Sequence, residues 1–198
     1  AGKSRLALSF AVAVAAGGSA LGKVPVDQGD VLALFLEDPK RRLQSRIREL
    51  MGGEPPPPRL QLAPMGTWKP LPLGGTAAIR AWLEAHPAAR LVVVDTLAKV
   101  RPPANGRNRD AYVEDTELLS PLLELAAAHH VCILVLTHVR KSNGLEGDWL
   151  ETIIGSIGQG ATADTVLALA RVRGKRDGSL KGTGRDLEDD IALALEAD

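Results

Sequence analysis

Aromatic side chains make up only 3% of the 198 residues, namely two Phe, three Trp and one Tyr. Stacking platforms of the kind on which single-strand binders lay their bases are therefore scarce. Cysteine is scarcer still. The single Cys132 excludes a disulfide framework and any cysteine-based zinc site, which fits a reducing, cytoplasmic setting. It lies inside the apolar run Val131-Cys132-Ile133-Leu134-Val135-Leu136 and is expected to be a buried, inert core thiol. Net charge is lacking as well: 24 Lys and Arg balance 24 Asp and Glu. No global field draws the chain to nucleic acid or to a membrane, and any basic surface must be local. No apolar run reaches bilayer length. Residues 6–16, with Lys3 and Arg5 before them and Gly17-Gly18-Ser19-Ala20 after, have the layout of a secretory leader, but the absent initiator Met reads as a start inside a longer protein.

With 45% hydrophobic residues, the chain is long enough for one well-cored domain, and a single domain over residues 1–198 is expected. Its organising stretch is Leu91-Val92-Val93-Val94-Asp95-Thr96. An unbroken β-branched run this short reads as a strand covered on both faces, as in a parallel α/β sheet, with the acid at the carboxyl end. Open α/β sheets bind their ligands at that edge. Two more apolar runs end the same way: Val31-Leu32-Ala33-Leu34-Phe35-Leu36 meets Glu37 and Asp38, and residues 131–136 meet Thr137-His138.

Each terminal residue has two readings. Glu37 is either an acid favoured near a helix start or a general base polarising an attacking water. His138 is either a neutral structural histidine or a hydrogen-bond partner for a γ-phosphate. Gly2-Lys3-Ser4, followed at once by Leu6, Ala7, Leu8, Phe10 and Ala11, has the form of a phosphate-binding loop running into a buried helix. In that reading Lys3 reaches the β and γ phosphates and the Ser4 hydroxyl ligates magnesium opposite Asp95. A solvated helix start is the plain alternative.

Between these points, Pro39 opens a helix carrying Leu43, Ile47 and Leu50, and residues 54–75, with Pro55-Pro56-Pro57-Pro58, form a surface excursion holding one short strand at Leu60-Gln61-Leu62. A helix from Thr76 carries Ile79, Trp82 and Leu83 on one face, and residues 110–129 are amphipathic through Leu118, Leu119, Leu122, Leu123 and Leu125. Lys99, Arg101, Arg107 and Arg109 fall in a proline- and glycine-bearing loop beyond Asp95, where they either track a nucleic-acid backbone or are solvated charge. Residues 165–173 alternate as a strand into the turn Lys175-Arg176-Asp177-Gly178, and residues 180–185 and 191–195 complete a hairpin-like end. Arg176 is either exposed charge or an arginine finger reaching a neighbouring subunit.

The succession of Gly-Lys-Ser into a helix and strands ending in Glu37, Asp95 and Thr137-His138 resembles the RecA-like branch of the P-loop ATPases, within the AAA family, and in it the hexameric replicative helicase ATPases of the plasmid RepA and DnaB kind. Residues 34–42, 91–96, 134–138 and 155–171 and the closing Gly182-Thr183-Gly184-Arg185-Asp186 carry the likeness. The resemblance implies a mainly parallel central sheet flanked by helices with a C-terminal β-hairpin. It implies ATP and Mg2+ held by Gly2, Lys3, Ser4, Asp95 and Thr137, with the metal on Ser4 and Asp95. Glu37 would activate water, His138 would sense the γ-phosphate, and Arg176 would act in a neighbour's site. By placement, Lys99, Arg101, Arg140 and Lys141 would face single-stranded DNA in the channel of a homo-oligomeric, hexameric ring that does not enter a membrane. The chain departs from the family in lacking its first strand and opening loop glycines. That loss is expected to leave two unpaired ladders at the centre of the sheet.

Overall fold

The computed structural model describes residues 2–103, 111–138, 162–170, 178–185 and 191–195. Two compact units divide the chain, one holding Ala1–Asn108 with Ser120–His138, the other Arg109–Leu119 with Val139–Asp198.

The first unit opens with helix α1 (Lys3–Ala16). Gly2 precedes it at φ 147°, a conformation that L side chains rarely adopt. Gly17 ends it at φ 73°, donating its N–H to Ala13 O. The orphan carbonyls of the last turn are met by a side chain: Gln28 Nε2 donates to Ala16 O at 3.0 Å and Ala15 O at 3.3 Å. The buried stripe is Ala7, Leu8, Ala11 and Ala15, and three alanines among four positions let the helix backbone lie close on the sheet. A two-stranded antiparallel piece, β1 (Ser19–Ala20) with β2 (Val24–Pro25), follows. It is too short to leave a periodic signal.

Strand β3 (Asp30–Phe35) is all apolar after its first residue and buried. Helix α2 (Lys40–Leu50) starts after Pro39 and buries Leu43 and Ile47. Strand β4 (Leu60–Pro64), helix α3 (Gly75–Ala85) and strand β5 (Ala89–Asp95) come next. Then come the four-residue helix α4 (Leu97–Val100) and helix α5 (Ala111–His129), whose second half, from Ser120, belongs to this unit. Strand β6 (Cys132–Leu136) completes the sheet. Its order is β4-β3-β5-β6, with every pairing parallel.

Alternation along the strands sorts the core. Val31, Ala33, Phe35, Leu91 and Val93 cluster with the α1 stripe and with Leu43 and Ile47 of α2. Leu32, Leu34, Val92 and Val94, all fully buried, point the other way. So does Gln61, which accepts a 2.7 Å hydrogen bond from Trp82 Nε1 of α3. Helices thus cover both faces, which is why β3 and β5 read as unbroken apolar runs.

Four expectations change. No gap opens inside the sheet, because β5 and β6 pair directly from Leu91↔Cys132 to Asp95↔Leu136. The unpaired ladders among the described residues lie only at the outer sides of β4 and β6. Cys132 is exposed rather than buried, although partial desolvation still pushes its thiol upward. On α5, Leu118, Leu122 and Leu125 are buried but Leu123 is exposed. Residues 97–100, read as loop, form α4, a helix of one turn that no periodicity argument detects.

In the second unit, β7 (Thr165–Ala170), β8 (Gly178–Gly184) and β9 (Ile191–Leu195) form an antiparallel sheet in the order β7-β8-β9. The expected C-terminal hairpin is present, with its three strands at the three segments read from the sequence. Gly184 allows a close approach: a Cβ there would stand 2.6 Å from Thr165 Oγ1 and 2.7 Å from Asp164 O.

Candidate functional site

Register alone brings the strand ends together. Phe35 of β3 stands opposite Asp95 of β5, which stands opposite Leu136 of β6. Two residues beyond this line the chain reaches Glu37 on one side and His138 on the other. Leu36 N–H donates to Asp95 O at 2.7 Å, tying the β3 exit to the β5 exit.

Asp38 fixes the turn after β3. Asp38 is 4% exposed, and its carboxylate is held by Arg42 Nη1 at 3.4 Å and by Arg46 Nη1, one and two turns along α2. Its carbonyl accepts Met65 N–H at 3.0 Å, and its own N–H donates to Phe35 O. Glu37 therefore sits on a backbone clamped by buried neighbours on both sides, while its side chain is exposed. It lies ahead of Pro39 and outside the first turn of α2, which holds no acid, so the helix-start reading of Glu37 does not apply. Sequence reasoning had passed over Asp38. The available signal was its spacing of four and eight residues to two arginines.

Gly2, Lys3 and Ser4 form the start of α1. Lys3 Nζ lies 3.3 Å from His138 Nδ1, and because an ammonium can only donate, the ring nitrogen facing it is the acceptor. Burial lowers the Lys3 amine from its usual range, and the negative charges of Asp95 and Glu37 partly restore it. Asp95 is 2% exposed. Burial raises its carboxyl above the usual carboxylate range, the Ser4 hydroxyl brings it partway back, Glu37 and Asp38 raise it further, and His138 lowers it. For both groups desolvation outweighs every charge in the site. Thr96 Oγ1 donates to Glu37 Oε1 at 3.0 Å, a contact that sequence reasoning missed because α2, β4, α3 and β5 all lie between its partners in the chain. The Asp95–Thr96 peptide is cis.

The structure thus gathers Gly2, Lys3, Ser4, Glu37, Asp95 and His138 at one sheet edge, with Thr137 beside His138 on the exit from β6. Lys99 is exposed on α4 and Arg101 half-buried just after it. Arg176, Arg140 and Lys141 lie outside the described residues, as do Lys175, Arg107 and Arg109.

One observation tests whether these residues fit a divalent cation beside a phosphate chain. Asp95 Oδ1 is buried and has no hydrogen-bond partner among the described residues. Leaving such an atom unpaired costs about 1–3 kcal/mol or more when charged, so the position suits a bound cation or its water. The neighbouring hydroxyl of Ser4 and the ammonium of Lys3 supply the oxygen ligand and the positive charge that a magnesium–phosphate pair requires, and the donor set fits. Among the described residues no group of three or more His, Cys, Asp or Glu is placed to hold a metal by itself. No helix among the described residues is long and apolar enough to cross a membrane.

A family model described as an AAA domain matches residues 1–144. No curated protein matches the chain.

Proposed function

Because the chain belongs to the AAA-domain family, we propose that it binds and hydrolyses ATP as a RecA-like motor, working as a ring-forming DNA helicase or replication ATPase. The observation that carries the ATPase reading is the meeting of Lys3, Asp95, Glu37 and His138 at the carboxyl edge of a parallel sheet, from four separate elements.

The N–H groups at the start of α1 and the Lys3 ammonium hold the β and γ phosphates. Ser4 and Asp95 would hold Mg2+, which supplies charge neutralisation across the phosphate oxygens when bound. Glu37 orients a water and accepts its proton as the water oxygen attacks the γ-phosphorus. The bond to the β–γ bridging oxygen breaks, releasing ADP and phosphate. Lys3 counters the charge gathering on the transferred group, so catalysis is mostly positioning and electrostatics. His138, within reach of Lys3, changes partner when the γ-phosphate arrives or leaves, and Arg140 and Lys141 follow it in the sequence. Lys99 and Arg101 follow Asp95 on the neighbouring strand exit. Together these four cations are the proposed contacts to single-stranded DNA, and Arg176 the proposed finger into an adjacent subunit of a hexamer.

The test pairs phosphate release with strand displacement on a forked duplex. Hydrolysis together with displacement supports the helicase reading. Robust hydrolysis without displacement assigns the domain to a DNA-associated regulatory or recombinase ATPase. Nucleotide binding without hydrolysis assigns it to a non-catalytic interaction domain.

A further inference from the structure

Thr96 stands where a helix N-cap stands: it precedes α4 with extended backbone angles, φ −125° and ψ 168°. A threonine there ordinarily turns its hydroxyl back to one of the first free N–H groups of the helix. Thr96 makes no such bond. Its Oγ1 instead donates to Glu37 Oε1 at 3.0 Å, across 59 residues of chain. Helix α4 is held without the cap, because Leu97 and Val100 are buried and Lys99 N–H donates to Thr96 O at 2.9 Å.

The two partners differ sharply in mobility. Thr96 is 1% exposed, and as a β-branched residue it has few rotamers open to it. Glu37 is exposed, has three rotatable side-chain bonds, and makes no other hydrogen bond among the described residues. Left alone, such a carboxylate samples many positions. The bond from Thr96 occupies Oε1 and leaves Oε2 open.

We propose that Thr96 is a positioning residue for Glu37, anchoring Oε1 from the buried end of β5 so that Oε2 is presented to the attacking water. The inference rests on the reading of Glu37 as the base. It adds a consequence: the residue directly after Asp95 joins the phosphate-and-metal end of the site to the water end. A change in the β5 exit is therefore passed to the carboxylate of the base through the Thr96 hydroxyl, beside the backbone bond from Leu36 N–H to Asp95 O.

The experiment measures steady-state ATP hydrolysis for Thr96→Val, Thr96→Ser, Glu37→Gln and the double variant Thr96→Val/Glu37→Gln. Thr96→Val keeps the shape and removes the donor. It is expected to lower kcat by roughly tenfold or more with KM for ATP within about twofold, since a general base contributes through its geometry. Thr96→Ser, which keeps the donor, restores most of kcat. The double variant turns over no more slowly than Glu37→Gln alone, because the two groups act as one unit. Thr96→Ala loses the same hydroxyl and takes the valine variant's place if thermal melting shows that Thr96→Val is unfolded. The proposal is overturned if the donor-free variant keeps kcat within twofold, if Thr96→Ser is as impaired as Thr96→Val, or if KM rises in step with the fall in kcat. A Glu37→Gln protein with undiminished turnover overturns the reading of Glu37 itself. Loss of turnover in Glu37→Gln with none in Thr96→Val removes only the role of Thr96.

Discussion

Lys3 Nζ and His138 Nδ1 lie 3.3 Å apart although 135 residues separate them in the chain. One begins the first helix and the other follows the last strand of the parallel sheet, so their contact joins the start of α1 to the exit from β6. Replacing Lys3 with Ala is expected to weaken ATP and ADP binding alike, by roughly 100-fold, as befits loss of a charged contact to phosphate. His138→Ala is expected to weaken ATP while sparing ADP. Titration of both variants with fluorescent ATP and ADP analogues measures the difference, and equal losses for the two nucleotides at position 138 would remove it as a γ-phosphate sensor.

Glu37→Gln keeps shape and hydrogen-bonding capacity but removes the basic carboxylate. Turnover is expected to fall by about 100-fold or more, the scale of a general base, with nucleotide affinity nearly unchanged because Glu37 serves the water. Phosphate release and equilibrium nucleotide binding, measured on the same preparation, check both halves.

Asp95 makes stability depend on pH in a direction fixed by burial. Its folded-state carboxyl is raised above the ordinary range, so the native state holds the proton more tightly than the unfolded chain does. The stability this provides is complete below the unfolded carboxylate range and is lost as pH rises through the raised folded value. Asp95→Asn, neutral at every pH, is therefore expected to match the parent near pH 4 in magnesium-free buffer. At pH 8 it should melt higher than the parent, because Asn has no charge to keep out of water. The same substitution should abolish any stabilisation by magnesium-ATP. Thermal melts across pH, with and without magnesium-ATP, measure both effects.

His130 follows α5 at φ 49°, in the left-handed region where a Cβ costs roughly 1–2 kcal/mol. Val131 N–H nonetheless returns to Ala126 O at 3.1 Å, closing the helix end. His130→Gly relieves the strain but enlarges the freedom of the unfolded chain, and the balance is an expected gain of about 0.5–1 kcal/mol. Chemical denaturation reads it directly; a lower midpoint would mean that the imidazole has a role beyond its backbone angle.

Much of this was legible in the residues. Two unbroken apolar runs gave β3 and β5 because strands covered on both faces have no polar side to interrupt them, and a third gave β6, whose residues 133–135 are half-buried. The acids and the histidine at their ends marked the edge to which register then brought them. What stayed hidden depended on neighbours rather than on local pattern. Cys132 has the sequence context of a core thiol, yet it is exposed on a strand that ends the sheet among the described residues. Helix α4 is a single turn, shorter than any period. Thr96 followed a conspicuous acid and looked like its continuation, because a hydrogen bond to a residue 59 positions away leaves no trace in spacing.

The alanines at 7, 11 and 15, all buried on the inner side of α1, also constrain motion. With three methyl groups and the Leu8 side chain as its buried padding, the helix has few rotamers to rearrange and so behaves as a stiff rod. Fourteen residues at 1.5 Å each give it a length of about 20 Å. A nudge at Lys3, where phosphate charge would come and go, is delivered with little damping to the far end, where Gln28 grips the final carbonyls.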